Sequence, residues 1–198
     1  MVGVPVESAV LYHNGALMQK VVLTFGFIAG GILSLLMAIT IPFQDQIGVD
    51  HSLLLGYTTM VIAFLMVYFG VRSYRDNVGG GRVSFGRAFV VGLAITMIAS
   101  CCYVATWEVI YFKFMPDFAD KYAASAINKA KKAGESEAQI QALTKQMDEF
   151  RVSYKNPLVN IAYTFLEPLP VGIVFTLVTA GVLSWKRKEE KIGDAAAA

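Results

Sequence analysis

Four stretches of this chain are apolar without alternation: Val21–Phe43, Ser52–Val71, Ala88–Trp107 and Leu158–Trp185 carry almost no charge. An apolar run of about 18 residues or more can cross a hydrocarbon core about 30 Å thick as a helix. Lipid offers backbone N–H and C=O groups no partner, so a span is a helix or part of a closed barrel. Barrel strands are about half this length and alternate; these runs do neither. The pattern predicts an all-α membrane protein with four transmembrane helices in a bundle, spanning about 21–43, 52–71, 88–112 and 158–185.

Between the third and fourth spans the pattern changes. Residues 117–155 have soluble character. Pro116-Asp117 suits a helix start, and Gly134 a helix end. Ser136 followed by Gln139 reads as a capping box. Ile140, Leu143, Met147, Phe150 and Tyr154 then recur at steps of three and four, an amphipathic stripe. Phe118, Tyr122 and Ala126 give a weaker stripe before it. The expectation is a helical hairpin, Asp117–Ala133 and Glu137–Tyr154, whose apolar seams face each other. The alternative is a stripe that lies on the outer leaflet or binds a partner. The chain thus divides into an N-terminal extension (1–17), a membrane domain (18–188) with the hairpin inserted, and a tail (189–198). The extension lacks the cationic start and unbroken apolar core of a signal peptide.

Composition agrees with a membrane protein: 56% of residues are hydrophobic and 16% charged. A net charge of +2 is too small to suggest nucleic-acid binding. The position of the charges says more. Arg72, Arg75, Arg82 and Arg87 cluster between the second and third spans against Asp76 alone, and Lys186, Arg187 and Lys188 follow the fourth. The first connection has Asp45 and Asp50 and no basic residue. Short cytoplasmic loops collect Lys and Arg, so these basic anchors predict two cytoplasmic termini and an outer hairpin. The hairpin segment Lys113–Pro157 holds eight basic and six acidic residues. It does not count against this orientation, because long segments cross largely regardless of charge.

Helices in lipid associate through close packing of small residues. Gly26, Gly30 and Ser34 form such a face on the first span. Gly92, Thr96 and Ser100 do so on the third, and Gly172, Thr176 and Ala180 on the fourth. These stripes serve contacts inside one bundle or the seam of a homo-oligomer. Gly79-Gly80-Gly81 marks a tight turn; it lacks the GK[ST] ending of a phosphate loop. Cys101 and Cys102 read as packing residues.

Two acids interrupt the apolar regions, Glu108 and Glu167. Glu108 stands about 31 Å past Arg87 along a helix, and Glu167 about 28 Å before Lys186, so both arrive near the outer boundary. Trp107, Tyr111 and Phe112 read as an outer aromatic belt. Pro168 and Pro170 deprive the carbonyls of Thr164 and Leu166 of donors, so the fourth helix should kink or break there. Broken helices beside a carboxylate build ion sites in many transporters. Glu108, Glu167, Pro168 and Pro170 are therefore a candidate polar pocket. The bland alternative is a bent helix with Glu167 in interfacial water.

The order Ser84-Phe85-Gly86-Arg87-Ala88-Phe89, Trp107, Tyr111, Pro116-Asp117-Phe118, Tyr154-Lys155-Asn156-Pro157-Leu158, Thr164 to Gly172 and Lys186-Arg187-Lys188 resembles the bacterial membrane family called domain of unknown function 4199. The resemblance covers about Met18–Lys188. It implies four spans in a bacterial cytoplasmic membrane and assigns no activity, cofactor or catalytic residue. No metal set or nucleophile–base pair shows in the residues themselves, so no cofactor is expected. Three functions remain in play. The first is a non-enzymatic membrane protein whose hairpin, 117–155, contacts an envelope protein. The second is a small transporter or channel component using Glu108 and Glu167. The third and weakest is a membrane enzyme.

Overall fold

The structure is a computed structural model that describes residues 6–43 and 49–196, with side chains of 15–41, 43, 51 and 54–184. The connection holding Asp45, and the side chains of Asp50, Lys186, Arg187 and Lys188, lie outside the described residues. Among the described residues the chain forms α1 (Val6–Thr40), a 3₁₀ turn (Ile41–Phe43), α2 (Val49–Asn77), α3 (Phe85–Phe114), α4 (Phe118–Lys132), α5 (Glu137–Tyr154), α6 (Pro157–Leu166) and α7 (Pro168–Ala196). Four stretches are long and apolar enough to span a membrane: Gly15–Thr40, Leu54–Asn77, Phe85–Phe114 and Pro157–Ser184. The last is α6 and α7 taken together.

The helices outrun the apolar runs that announce them. Helix α2 continues six residues past Val71, because nothing in Arg72–Asn77 breaks a helix. It ends where Gly80 and Gly81 take φ of +60° and +80°, a conformation that costs glycine little. The carbonyls left over at the end are used: Tyr74 accepts from the N–H groups of Val78 and Gly79, and Arg75 from that of Gly81. Ser84 then caps α3, its hydroxyl accepting from the Arg87 N–H.

The spans pack in a ring ordered first, second, fourth, third. The second and third also touch across the short diagonal, and the first and fourth hold the far corners. Contacts between glycines and their neighbours give the register. Gly26 faces Ile98, and Gly30 faces Cys102 and Ala99. The Ser34 and Thr106 hydroxyls lie 2.7 Å apart. A step of four along α1 thus matches a step of four along α3 in the same sense, so the two run parallel. Gly92 faces Thr176, while Gly172 faces Thr96, so α3 and α7 are antiparallel. The start of α1, the Gly79–Gly81 turn and the end of α7 therefore share one end of the bundle, and the hairpin sits at the other. The small-residue stripes are spent inside this bundle.

The bundle differs from a protein surrounded by water at its flanks, while its core is mostly apolar with a few polar groups enclosed. Its interior holds Phe64, Val67, Ile95 and Leu33, each fully enclosed, but also Thr96, Ser100, Asn160 and Thr176 at 0% exposure. Its flanks show Phe27, Leu35, Ile62, Leu65, Val90, Val174 and Val178. Apolar flanks on this scale mark a surface that meets lipid.

The hairpin forms with its expected caps. Ser136 accepts from the Gln139 N–H, and the Gln139 side chain reaches back to the Ser136 N–H at 2.9 Å. Helix α4 ends in a Schellman motif, with Gly134 at φ +74° and the Gly134 and Glu135 N–H groups on the Lys131 and Ala130 carbonyls. The expected stripe does face α5, Phe118 meeting Tyr154 at 6.1 Å and Tyr122 meeting Phe150 at 5.6 Å between centroids, but the enclosed positions of α4 are alanines. Ala119, Ala123 and Ala130 are enclosed, whereas Tyr122 is 40% exposed. Alanines let α5 approach closely, and Phe118 and Tyr122 then fold over the side of the contact. Asp117 makes no cap hydrogen bond; its carboxylate pairs with Lys121 at 3.2 Å.

Candidate functional site

Helix α3 carries Thr96, Ser100, Tyr103 and Trp107 at steps of four, three and four, on one face. Across from it, the fourth span carries Asn160, Thr164, Glu167 and Thr176. The antiparallel register brings them together in order. The Thr96 and Thr176 hydroxyls lie 3.3 Å apart near mid-span. One turn further out is Ser100, fully buried, whose Oγ has no partner among the described residues. The Tyr103 hydroxyl then donates to Glu167 Oε2 at 2.8 Å. At the outer end the Trp107 Nε1–H is shared between Tyr154 Oη at 3.0 Å and Asn160 Oδ1 at 3.1 Å. Thr164 donates to Asn160 Oδ1 at 3.2 Å and also engages the Tyr154 hydroxyl. The result is a polar seam between the third and fourth spans, from the middle of the bundle to the base of the hairpin.

Local sequence explains how each group is held. Asn156 caps α6 by accepting from the Leu158 N–H at 3.0 Å, with Pro157 at the first helical position, where its missing N–H costs nothing. This fixes the phase of the short helix and turns Asn160 and Thr164, four apart, toward α3. The break falls where the prolines predict, between Leu166 and Pro168. Glu167 keeps helical angles of −68° and −54°, so the interruption is a loss of hydrogen bonds more than a change of direction. It leaves the Thr164 and Leu166 carbonyls without their usual donors. Asn160 Nδ2 adds a buried donor with no partner among the described residues. The outer half of the seam therefore has hydrogen-bonding capacity to spare.

The hairpin closes over this end. Tyr154, the last residue of α5, packs edge-on against Tyr111 at 5.4 Å between centroids, and Phe150 lies 4.8 Å from Tyr154. Phe118 meets the Trp107 ring edge-on at 4.8 Å. Trp107 and Tyr111 are thus buried beneath the hairpin, which corrects their reading as an interfacial belt; Phe112 alone of the three is exposed. Burial pushes the Tyr154 phenol up to about 12, against the pull of its hydrogen bonds to Thr164 and Trp107.

The two glutamates do not share a partner. Glu167 takes its hydrogen bond from Tyr103 and lies exposed on the bundle flank. Glu108 is half-buried, and its Oε1 has no hydrogen-bond partner among the described residues. It lies about 140° around α3 from Tyr103, so it faces elsewhere. No hydrogen bond joins Glu108 and Glu167 among the described residues, and Pro168 is buried while Pro170 is exposed. Cys102 fills the space opposite Gly30, but Cys101, one residue earlier, is exposed. No group of three His, Cys, Asp or Glu side chains is placed to hold a metal among the described residues. Sequence reading missed Asn160 and Thr164 as seam residues and gave Tyr103 no role. A buried amide inside an otherwise apolar run is the signal that marks such a position.

Four apolar helices, a polar seam turned inward and a capped hairpin at one end define a multi-pass helical membrane protein. The chain belongs to the family described as protein of unknown function DUF4199, whose model matches residues 24–184 and so takes in most of the first span, the other three spans and the hairpin. No curated relative and no solved structure matches the chain.

Proposed function

We propose that this is a non-enzymatic protein of the bacterial cytoplasmic membrane that presents its hairpin as a fixed platform to another envelope protein. The observation that carries this reading is the buried link of Trp107 to Tyr154 and Asn160, which ties the hairpin to the third and fourth spans. A hairpin tied in this way holds one orientation, and a fixed surface loses less entropy on binding than a loose one. The apolar stripe of α5 is used in the tie, so the surface offered outward is the charged one. It includes Lys131, Lys132, Glu135 and Glu137, all exposed.

The proposed orientation, with both termini cytoplasmic, rests on Arg72, Arg75, Arg82 and Arg87 at the end of the bundle opposite the hairpin. Membrane-impermeant thiol labelling of single cysteines placed at positions 86 and 131 in a background without Cys101 and Cys102 tests it. Label should reach 131 from outside the cell and 86, where a side chain meets nothing within 4 Å, only after lysis; the reverse would sink the orientation. A photo-crosslinking residue at position 141 should trap one discrete envelope protein, and Lys131→Glu with Lys132→Glu should abolish the product. Absence of any hairpin-specific product counts against the platform.

A second reading, a small transporter or channel component, draws on the Tyr103–Glu167 hydrogen bond at the helix break. It expects solute or proton flux in liposomes that falls in Glu167→Gln and Glu108→Gln. A homo-oligomer, if formed, would have to use faces other than the small-residue stripes.

A further inference from the structure

At the end of the bundle opposite the hairpin, α1 and α2 leave a groove of about 380 Å³ between them, within the range of about 300–1,000 Å³ usual for small-molecule sites. Its floor is Phe25, Met66 and Phe69, and its rim is Arg72, Ser73 and Asn77 with Asp76. Glycine at position 70 helps form the floor: a Cβ there would press on the tip of Ile95 and stand 3.0 Å from Phe25, so its absence lets Phe25 lie close against α2. Met66, Phe69, Arg72 and Ser73, and then Asn77, recur at steps of three and four on one face of α2. Polarity therefore changes along the groove from apolar to cationic within about 16 Å.

Arg72 and Asp76 balance each other on the rim, and Arg75 beside it, outside the lining, brings the surroundings to two cations against one carboxylate. Arg75 Nε holds Asp76 Oδ1 at 2.7 Å, while Arg72 Nε reaches Asp76 Oδ2 only at 3.6 Å. Two guanidinium groups share one carboxylate, and the more loosely held one, Arg72, has 54% of its side chain exposed. Asn77 donates to Ser73 Oγ at 3.1 Å, which leaves the Ser73 hydroxyl hydrogen for another acceptor. An anion beside Arg72 and Ser73 completes this set. The apolar floor next to it, on the flank of a span with Phe69 46% exposed, suits an acyl chain.

We propose that this groove binds one anionic phospholipid, its phosphate on Arg72 and Ser73 and its chain along Phe25, Met66 and Phe69. The test uses the full-length protein in detergent, with lipids retained in native mass spectrometry and thermal unfolding as readouts. Phosphatidylglycerol, phosphatidylcholine and inorganic phosphate are the probes. One phosphatidylglycerol should be retained in preference to phosphatidylcholine and should raise the unfolding temperature. Arg72→Gln should weaken that retention about tenfold, the loss of one charge-assisted contact. Met66→Trp, which fills the floor and keeps every charge, should weaken it as well. Arg87→Gln, at the same end but outside the groove, should leave it unchanged. Equal retention of both lipids would overturn the site. So would an equal loss in Arg87→Gln, which marks general surface attraction, or an equal thermal shift with phosphate alone, which marks an anion site without a lipid chain.

Discussion

The third span makes two seams of different make-up. Toward α1 it packs mainly with small residues in parallel, Gly26 and Gly30 receiving Ile98 and Cys102, with one hydroxyl pair at Ser34–Thr106. Toward the fourth span it packs in antiparallel, first with Gly92 and Gly172 against Thr176 and Thr96, then outward with polar groups from Thr96–Thr176 to Trp107–Asn160. Water drives neither association inside a bilayer, so the first rests mostly on close van der Waals contact and the outer half of the second on hydrogen bonds. Their sensitivities should differ in size. Overfilling a tight contact costs about 1–3 kcal/mol, whereas one interhelical hydrogen bond in a membrane averages about 0.6 kcal/mol and reaches about 1.7. The glycine contacts of both seams are the brittle ones, and the hydrogen-bonded outer half of the second seam is the adjustable part.

Neighbouring glycines give the sharpest break. A Cβ on Gly30 would stand 2.6 Å from Cys102 Cβ and 2.7 Å from its Sγ, while one on Gly31 meets nothing within 4 Å. Gly30→Leu should therefore lower unfolding stability in detergent by about 1–3 kcal/mol. Gly31→Leu should leave it equal or raise it by up to about 1 kcal/mol through helix propensity. Equal losses in both would show that the seam is not a close contact.

The polar seam has a pH-dependent end in Tyr154. Its phenol has an ordinary value of about 10 in the unfolded chain and about 12 in the folded one. The folded state thus holds its proton longer. The stability this gives is complete below about pH 10 and is lost as pH rises toward 12. The loss should reach about 2 kcal/mol at its end. Unfolding temperature followed from pH 9 to 12 should fall more steeply for the wild type than for Tyr154→Phe. Parallel curves would remove the buried phenol from the account.

Two of these features differ in how far the chain announces them. The glycine seam is legible, because Gly26, Gly30 and Ser34 repeat at one helical turn on a single segment. The hairpin is legible to within a residue at each end, since Ser136, Gln139 and Gly134 act on their own backbone neighbours. Asn160 and Trp107 stand 53 positions apart, and no periodicity within either segment says that they meet. Only the register of α3 against α6, set by the Asn156 cap and the packing of Gly92 and Gly172, brings them within reach. Likewise no hydrogen bond joins Glu108 and Glu167 among the described residues. Equal depth in a membrane does not fix the direction a side chain takes around its helix.

The Trp107–Asn160 bond can be isolated by a double-mutant cycle. Asn160→Leu keeps the volume, and Trp107→Phe keeps an aromatic ring but leaves a small cavity and also gives up the bond to Tyr154, terms that cancel from the coupling. Their coupling should be about 1 kcal/mol, within the range for interhelical bonds in membranes. Additive losses would show that the N–H is satisfied by Tyr154 alone. The Asn160 change also removes the unpartnered Nδ2, so its single-mutant cost should fall below that of Trp107→Phe.

The smallest effect belongs to Tyr103. Its hydroxyl donates to Glu167 on an exposed flank, where water or lipid headgroups can replace it. Tyr103→Phe should cost no more than about 0.6 kcal/mol, the average for such a bond. Glu167→Gln should cost no more than Tyr103→Phe, since an amide oxygen still accepts from the phenol. The two changes together should then cost little more than Tyr103→Phe alone. A loss above about 2 kcal/mol in either single variant, measured by thermal unfolding in the same detergent, would mean that Glu167 is enclosed by something beyond this chain. It would also place the broken fourth helix among the brittle contacts, erasing the contrast between the two seams.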